Sequence, residues 1–156
     1  MASFQTGNNE EGFSLVELLI AVAIMTTVAA IAIPSYNECI NNARIVKAIG
    51  DIKKIEENVT LYQLANNVLP ESLDDLQLEN RKDPWGNDYQ YLRIAGNKKS
   101  IGQCRKDKFL NPLNNDYDLY SKGRDGESIS PLTAAPSHDD IVRASNGGFI
   151  GLATNY

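Results

Sequence analysis

An apolar run with one carboxylate near its start constrains this chain more than any other feature. The run extends from Phe13 to Ile33, and Glu17 is its single charged residue. As a helix of 21 residues with a rise of about 1.5 Å per residue, it is roughly 30 Å long, which matches the core of a bilayer. Because an unpaired charge in such a segment is costly, Glu17 is expected to have a partner and a function.

Size and charge limit the remaining alternatives. A chain of 156 residues with 42% hydrophobic residues has the size of one domain. Its formal net charge is −5, and its 15 basic residues are scattered along the sequence. Because neutralising phosphates requires clustered Lys and Arg, nucleic acid is not expected among the partners.

The segment before the apolar run does not look like a secretory signal. Residues 1–12 are polar and lack the basic residues of a signal peptide, and Gly12 precedes the apolar run instead of following it. A cut at Gly12 would therefore leave the apolar helix on the mature protein as an anchor. A buried core helix and a plain single-pass anchor are the alternatives, and the plain anchor leaves Glu17 unexplained.

A second helical pattern follows Pro34 and continues to about Ala65. Its apolar residues recur at spacings of three and four, the period of an amphipathic helix, and they are Ile45, Ile49, Ile52, Ile55, Val59 and Tyr62. Pro34 is expected to kink the helix without ending it, because Ser35 and Asn37 can satisfy freed backbone groups. The alternative is two unrelated helices that separate at Pro34.

The rest of the chain favours turns and short strands. Residues 70–76 are typical of a turn and a short helix, and residues 83–88 form a dense cluster of turn residues. Aromatic and β-branched residues predict strands at 89–94 and 117–121, and a last short strand at 147–151. Residues 98–111 and 128–138 are predicted to be irregular. The predicted fold class is α+β, with a long N-terminal helix packed on a small antiparallel β-sheet and a long C-terminal loop.

The cysteines and the single histidine give little support to catalysis. Cys39 and Cys104 can form at most one intramolecular disulfide, which an oxidising compartment would permit. A disulfide and two separate thiols are therefore both possible. His138 stands beside two aspartates, but zinc needs four ligands and no second His or Cys pair is near it in the sequence. The chain is therefore not expected to be an enzyme.

The residues Gly12-Phe13-Ser14-Leu15-Val16-Glu17-Leu18-Leu19-Ile20 closely resemble the leader junction of type IV pilins and pseudopilins. The resemblance implies that a prepilin peptidase cuts between Gly12 and Phe13 and methylates the new N-terminal Phe13. It also assigns Glu17 to the family's glutamate four residues after the Phe, and Pro34 to the family's helix-kinking proline. Because a carboxylate there can pair with the Phe13 amine of the same or a neighbouring subunit, Glu17 is expected to act in filament assembly and register. The leader departs from the family in carrying Glu10 and Glu11 where Lys or Arg is usual.

Two further segments narrow the resemblance. Asp83-Pro84-Trp85-Gly86-Asn87-Asp88-Tyr89-Gln90-Tyr91 and Asp118-Leu119-Tyr120-Ser121-Lys122-Gly123-Arg124-Asp125-Gly126 look like the major pseudopilin of type II secretion systems. The implied organisation is a prepilin leader over 1–12, a transmembrane and polymerisation helix over 13–34, and a periplasmic pilin-like domain over 35–156 that includes the amphipathic half of the helix.

The same resemblance implies the function and the partners. The chain would be a structural subunit, anchored by a single pass in the inner membrane, that polymerises with copies of itself into a periplasmic pseudopilus. Its other partners would be the prepilin peptidase, further pseudopilins and inner-membrane secretion components. A type IV pilin that forms a surface fibre and a membrane-anchored binding module are the alternatives.

A calcium site is also implied by the resemblance. The family's ligands correspond here to the carboxylates of Asp125, Asp139 and Asp140 and to the main-chain carbonyl of Lys122. Calcium takes six to eight oxygen ligands in flexible geometry, so carboxylates mixed with carbonyls suit it chemically. The distance in sequence from Asp125 to Asp139 is longer than is usual in the family.

Overall fold

The computed structural model describes residues 12–78, 82–97 and 102–156. The predicted leader lies outside the described residues except for Gly12, and so do residues 98–101 of the predicted irregular stretch. The chain divides into two compact units, Met1–Ile40 and Asn41–Tyr156. The long helix belongs to both units.

One α-helix, α1, covers Leu15–Asn66, and Pro34 lies inside it. The helix therefore continues through the proline, as expected from the sequence, and the alternative of two separate helices is wrong. The hydroxyl of Ser35 donates to the carbonyl of Ile31 at 3.2 Å, so a polar side chain does contact the backbone next to Pro34. The kink itself stays a prediction.

Four short strands form an antiparallel sheet in the order of the chain. They are β1 (Gln90–Arg93), β2 (Tyr117–Ser121), β3 (Ile141–Ala144) and β4 (Phe149–Leu152). In the register, Tyr91 faces Leu119 across β1 and β2. Ile141 pairs with Ser121 on one side and with Leu152 on the other. The α+β prediction is confirmed by this helix and sheet.

The sequence predicted three strands, and the structure has four. The strand expected at 89–94 is shorter, the one expected at 117–121 has those bounds, and the one expected at 147–151 begins only at Phe149, because Ser145–Gly147 is a single 3-10 turn. The strand missed is β3, which follows Asp140 directly. The predicted loop 128–138 contains another 3-10 turn at Ala135–Ser137.

The core of the second unit lies between α1 and the sheet. Ala48, Ile52, Ile55 and Val59 of α1 are buried at the three- and four-residue spacing of one helix face. Ile45 and Ile49 are partly buried against them, and Tyr62 is half-buried. From the rest of the unit the core receives Leu69, Leu73, Tyr89, Tyr117, Leu119 and Ile141. Each large apolar side chain buried here contributes about 1.5–3 kcal/mol.

The other face of the sheet is also covered. Val142 and Ala144 of β3 pack with Leu113, Leu132 and Ala153 in a second apolar cluster. Because Ile141 faces α1 and its neighbour Val142 faces the second cluster, β3 is buried on both faces. The segments around residues 113 and 132 therefore act as the second cover of the sheet.

A buried arginine joins α1 to the sheet. Arg143 of β3 donates from Nε to Glu56 Oε1 of α1 at 2.7 Å, and from Nη2 to Asp116 Oδ2 at 2.7 Å. Its guanidinium carbon lies 4.1 Å from the centre of the Tyr117 ring. A buried cation with two carboxylate partners and an aromatic face fixes the position of the helix on the sheet.

Candidate functional site

The N-terminus of α1 holds Glu17 in a reciprocal capping arrangement. The main-chain amide of Ser14 donates to Glu17 Oε2 at 2.9 Å, and the Ser14 hydroxyl donates to the same oxygen at 2.8 Å. In return, the main-chain amide of Glu17 donates to the Ser14 hydroxyl at 3.2 Å. Ser14 is thus the N-cap and Glu17 the N3 residue of a capping box.

This capping box was missed in the sequence, although its signal is present there. The pattern Ser-x-x-Glu just before an apolar run marks a helix start, and Ser14-Leu15-Val16-Glu17 has that pattern. Glu17 therefore has a local partner in this chain before any second molecule is considered. Its carboxylate is held at the N-terminal turn by the main-chain amide and the hydroxyl of Ser14.

The apolar half of the helix is uncovered within the chain. Phe13 is 90% exposed and Ile31 is 71% exposed. Leu15–Asn66 is the one helix in the described residues that is long and apolar enough to cross a membrane, and none of its most apolar window is buried. Because an apolar surface of this length is not stable in water, it must be covered by lipid or by other chains.

Polar side chains inside this segment are satisfied by the helix itself. The hydroxyls of Thr26 and Thr27 both donate to the carbonyl of Ala23, at 3.0 and 2.8 Å. Such internal hydrogen bonds allow Thr in an apolar environment. The small residues that let helices approach closely are Ala21, Ala23, Ala29, Ala30 and Ala32.

The two segments that carried the narrower resemblance meet in space. Asp83 is buried and accepts the main-chain amides of Trp85 and Asn87 at 3.0 and 2.8 Å. Its other oxygen accepts the hydroxyl of Ser121, at the end of β2, at 2.6 Å. The side-chain amide of Asn87 donates to the carbonyl of Gly123 at 3.0 Å. The turn at 83–88 is thus fastened to the turn that follows β2.

The acidic residues assigned to calcium are engaged in hydrogen bonds with the chain. Asp139 Oδ2 accepts the main-chain amides of Arg124 and Asp125, at 2.6 and 3.0 Å. Asp125 Oδ1 accepts the amide of Glu127 at 2.8 Å. Gly123 has a φ of +65°, and a Cβ there would lie 2.3 Å from the Asp139 carbonyl oxygen. Only glycine therefore permits this approach of the two loop segments.

Asp140 differs from the other two aspartates in its partners, because its carboxylate contacts side chains and not main-chain amides. It is completely buried and forms an ion pair with Arg105, which is also buried. The hydroxyl of Ser128 donates to the same Asp140 oxygen at 2.6 Å. Burial raises the pKa of Asp140, although the Ser128 hydrogen bond and the Arg105 charge oppose the shift.

These residues do not fit a calcium ion in this arrangement. No group of three or more Asp, Glu, His or Cys side chains able to hold a metal exists among the described residues. Asp140 already has a guanidinium as its cation, and Asp139 is directed to backbone amides. Lys122, whose carbonyl completes the implied set, is half-buried directly after β2. Calcium binding stays a prediction from the resemblance alone.

The two cysteines lie in different units of the chain. Cys39 is exposed on α1 in the first unit, and Cys104 is buried in the second. No disulfide joins them in the described part of the chain. The Cys104 thiol lies 3.8 Å from Asn111 Oδ1, and burial raises its pKa, which keeps it protonated and less reactive. His138 is exposed, and its Nε2 lies 3.2 Å from the Thr133 carbonyl oxygen.

The N-terminal segment and most of the chain are similar in sequence to known proteins. The family model described as the prokaryotic N-terminal methylation motif matches residues 7–33. The type II secretion system core protein G of Pseudomonas aeruginosa is 29% identical, over 76% of this chain and 86% of that protein. The protein of that name from Vibrio cholerae is 29% identical, over 81% of this chain and 88% of that protein.

A type IV pilin is also similar in sequence to this chain. The type IV major pilin protein PilE1 of Neisseria gonorrhoeae is 35% identical, over 89% of this chain and 67% of that protein. The comparison with solved structures found no match.

An apolar N-terminal helix that continues onto a four-stranded antiparallel sheet, with a methylation motif at its start, defines a pilin-like subunit. The chain belongs to the type IV pilin and pseudopilin family.

Proposed function

We propose that this protein is the structural subunit of a periplasmic pseudopilus in a type II secretion system. The observation that carries the proposal is the uncovered apolar helix after a capped N-terminus, in a chain that covers most of the length of the secretion core proteins. The role is mechanical: a polymer that moves cargo, without a reaction to catalyse.

Processing creates the group that Glu17 needs. A prepilin peptidase would cut between Gly12 and Phe13 and methylate the new amine of Phe13. That amine then stands about one helical turn from Glu17. The carboxylate can neutralise it, or pair with the amine of a neighbouring copy and so set the register of the filament. A charge persists inside a helix bundle when it is paired and hydrogen-bonded.

The location and the partners follow from the same chemistry. Residues 13–34 would span the inner membrane once and would leave it only to enter the filament, where neighbouring helices replace the lipid. Residues 35–156 would lie in the periplasm. Besides copies of itself, the partners are the prepilin peptidase, other pseudopilins and inner-membrane secretion components, and residues 1–12 are the leader that the peptidase removes.

A surface fibre is the second candidate function. Its support is the 35% identity with the gonococcal pilin, which includes most of this chain. The covered share of the relative favours secretion, since this chain spans 86% of the Pseudomonas secretion protein and 67% of the pilin.

Deletion of the gene distinguishes between these two candidate functions. In the source bacterium, loss of a pseudopilus subunit should leave folded secretory cargo in the periplasm, while surface fibres seen by electron microscopy remain. Complementation with the unaltered gene should restore secretion, and a variant with Phe13 and Gly12 exchanged should not. Loss of surface fibres with normal secretion would establish the pilin function instead.

A further inference from the structure

Arg105 is an internal cation in the second unit. Its side chain is 4% exposed, and its carboxylate partner Asp140 is fully buried. A cation is rarely buried to this extent unless it is paired and hydrogen-bonded. The segment that carries Arg105 is one that the sequence predicted to be irregular.

The Arg105 guanidinium contacts three separate parts of the chain. Nη2 donates to Asp140, directly before β3, and Nη1 donates to the Ser128 hydroxyl and, at 2.8 Å, to the carbonyl of Ile129. Its central carbon lies 4.4 Å from the centre of the Tyr120 ring of β2. The side chain therefore ties the loop after β2 both to β2 and to the start of β3.

The main chain at Arg105 is fixed as well. Its amide donates to Asp118 Oδ2 of β2 at 2.6 Å, and its carbonyl accepts the amide of Leu113 at 2.9 Å. The next residue, Lys106, exchanges main-chain hydrogen bonds with the segment at Ser130 and Leu132, at 3.0 and 2.9 Å. The backbone that carries the guanidinium is therefore hydrogen-bonded both to β2 and to the segment at residues 130–132.

Arg105 and Asp140 each have one buried atom without a hydrogen-bond partner, a donor in one and an acceptor in the other. Among the described residues, three buried side-chain atoms lack a hydrogen-bond partner, and two of them are Arg105 Nε and Asp140 Oδ1. Arginine and carboxylate groups commonly pair through two parallel hydrogen bonds. The donor and the acceptor that such a second bond would need belong to the two side chains that are already joined through Asp140 Oδ2.

We propose that the Arg105 guanidinium replaces a divalent metal ion as the cation that holds the loop 122–140. A calcium ion at Asp140 would compete with this guanidinium for the carboxylate and would need six to eight oxygens. Asp139 and Asp125 instead accept amides of the loop itself. The fold of the second unit is therefore independent of divalent cations, and chelators leave it intact.

The first test needs no variant. The full chain is purified in detergent, freed of metal by dialysis against chelator, and melted while the fluorescence of its single tryptophan, Trp85, is followed. The expected midpoint is the same with millimolar calcium as with chelator, and metal analysis of the protein before dialysis finds no stoichiometric calcium. A midpoint that rises with calcium overturns the proposal, because a ligand that binds the folded state stabilises it.

The second test removes the internal cation. Arg105→Leu should lower the midpoint by roughly 10–20 °C, because it leaves Asp140 as an unpaired buried charge. Lys108→Leu, on an exposed residue of the same segment, is the matched control and should leave the midpoint unchanged. An Arg105→Leu protein that melts like the control contradicts the proposal.

A double substitution keeps the test decisive if Arg105→Leu does not fold. Arg105→Leu with Asp140→Leu removes both charges, and the double variant should melt above either single variant. Arg105→Lys keeps the charge and loses the planar fork, so it should melt between the unaltered protein and Arg105→Leu. If the losses of the two single variants simply add, the two residues are not coupled and the proposal fails.

Discussion

The two units of this chain solve the burial of apolar side chains in opposite ways. In Asn41–Tyr156, a helix face and a sheet cover one another, and Ile52 has no exposed surface. In Met1–Ile40, the described residues have no such partner, and Ile24 is 60% exposed. The second unit is complete within one molecule, whereas the first is completed only by lipid or by other molecules.

Charge follows the same division. Arg105 and Arg143 of the second unit are buried against carboxylates of their own chain. Among the described residues, Glu17 of the first unit is hydrogen-bonded only to Ser14. The groups of Ser14 are neutral, so these bonds leave the negative charge of Glu17 uncompensated. The charge of Glu17 is therefore available to an amine, whether that amine belongs to the same chain or to a neighbour.

The largest expected effect separates the charge of Glu17 from its capping role. Glu17→Gln keeps an acceptor at the N3 position of the capping box and removes the charge. Filament assembly, scored by electron microscopy of cells that overproduce the secretion system, should be abolished because the Phe13 amine loses its counter-ion. The melting of the second unit should not change.

Glu38→Gln is the matched control for this prediction. It makes the same chemical change on an exposed residue of the same helix, and assembly should continue. Normal assembly of Glu17→Gln would show that the charge has no role in register and that Glu17 serves the helix start alone.

The next prediction compares one substitution in both units. Ile52→Ala should lower the free energy of unfolding of the second unit by about 2–5 kcal/mol, because it removes a fully buried side chain from the core. Ile24→Ala should leave that free energy unchanged. Urea unfolding in detergent, followed by Trp85 fluorescence, measures both, since Trp85 packs against this core. Equal losses for the two variants would remove the distinction between the units.

The smallest expected effect concerns the start of the helix. Ser14→Ala removes the N-cap hydroxyl and should destabilise the first turn by about 0.5–2 kcal/mol, so its amides exchange hydrogen faster. Ser14→Thr is the control, because it keeps a capping hydroxyl. Exchange measured by mass spectrometry that is equal in all three proteins would mean that the capping box is not formed in the membrane-bound protein.

The sequence was most informative where chemistry is local. The apolar run, the position of Glu17 and the passage of the helix through Pro34 all depend on residues near one another, and the helix was predicted nearly to its end at Asn66. The capping box was equally local, and Ser14 was the signal that should have revealed it.

The missed features depend on distant parts of the chain. Strand β3 reads Ile-Val-Arg-Ala, without alternation of polar and apolar residues, because both of its faces are buried and its arginine has partners on α1 and before β2. Arg105 lay in a stretch predicted to be irregular, and its pairing with Asp140 spans 35 residues. No local sequence pattern predicts such a contact, so the resemblance assigned Asp140 to calcium without taking Arg105 into account.

The central claim is that this chain is cut before Phe13 and keeps its apolar helix for assembly. Mass spectrometry of the N-terminal peptide, from protein isolated with the inner membrane or with the filament, tests it directly. The account predicts a mature chain that begins with N-methylated Phe13 and lacks residues 1–12. An intact Met1 in assembled material, or a cut after Ile33 that removes the helix, would contradict it.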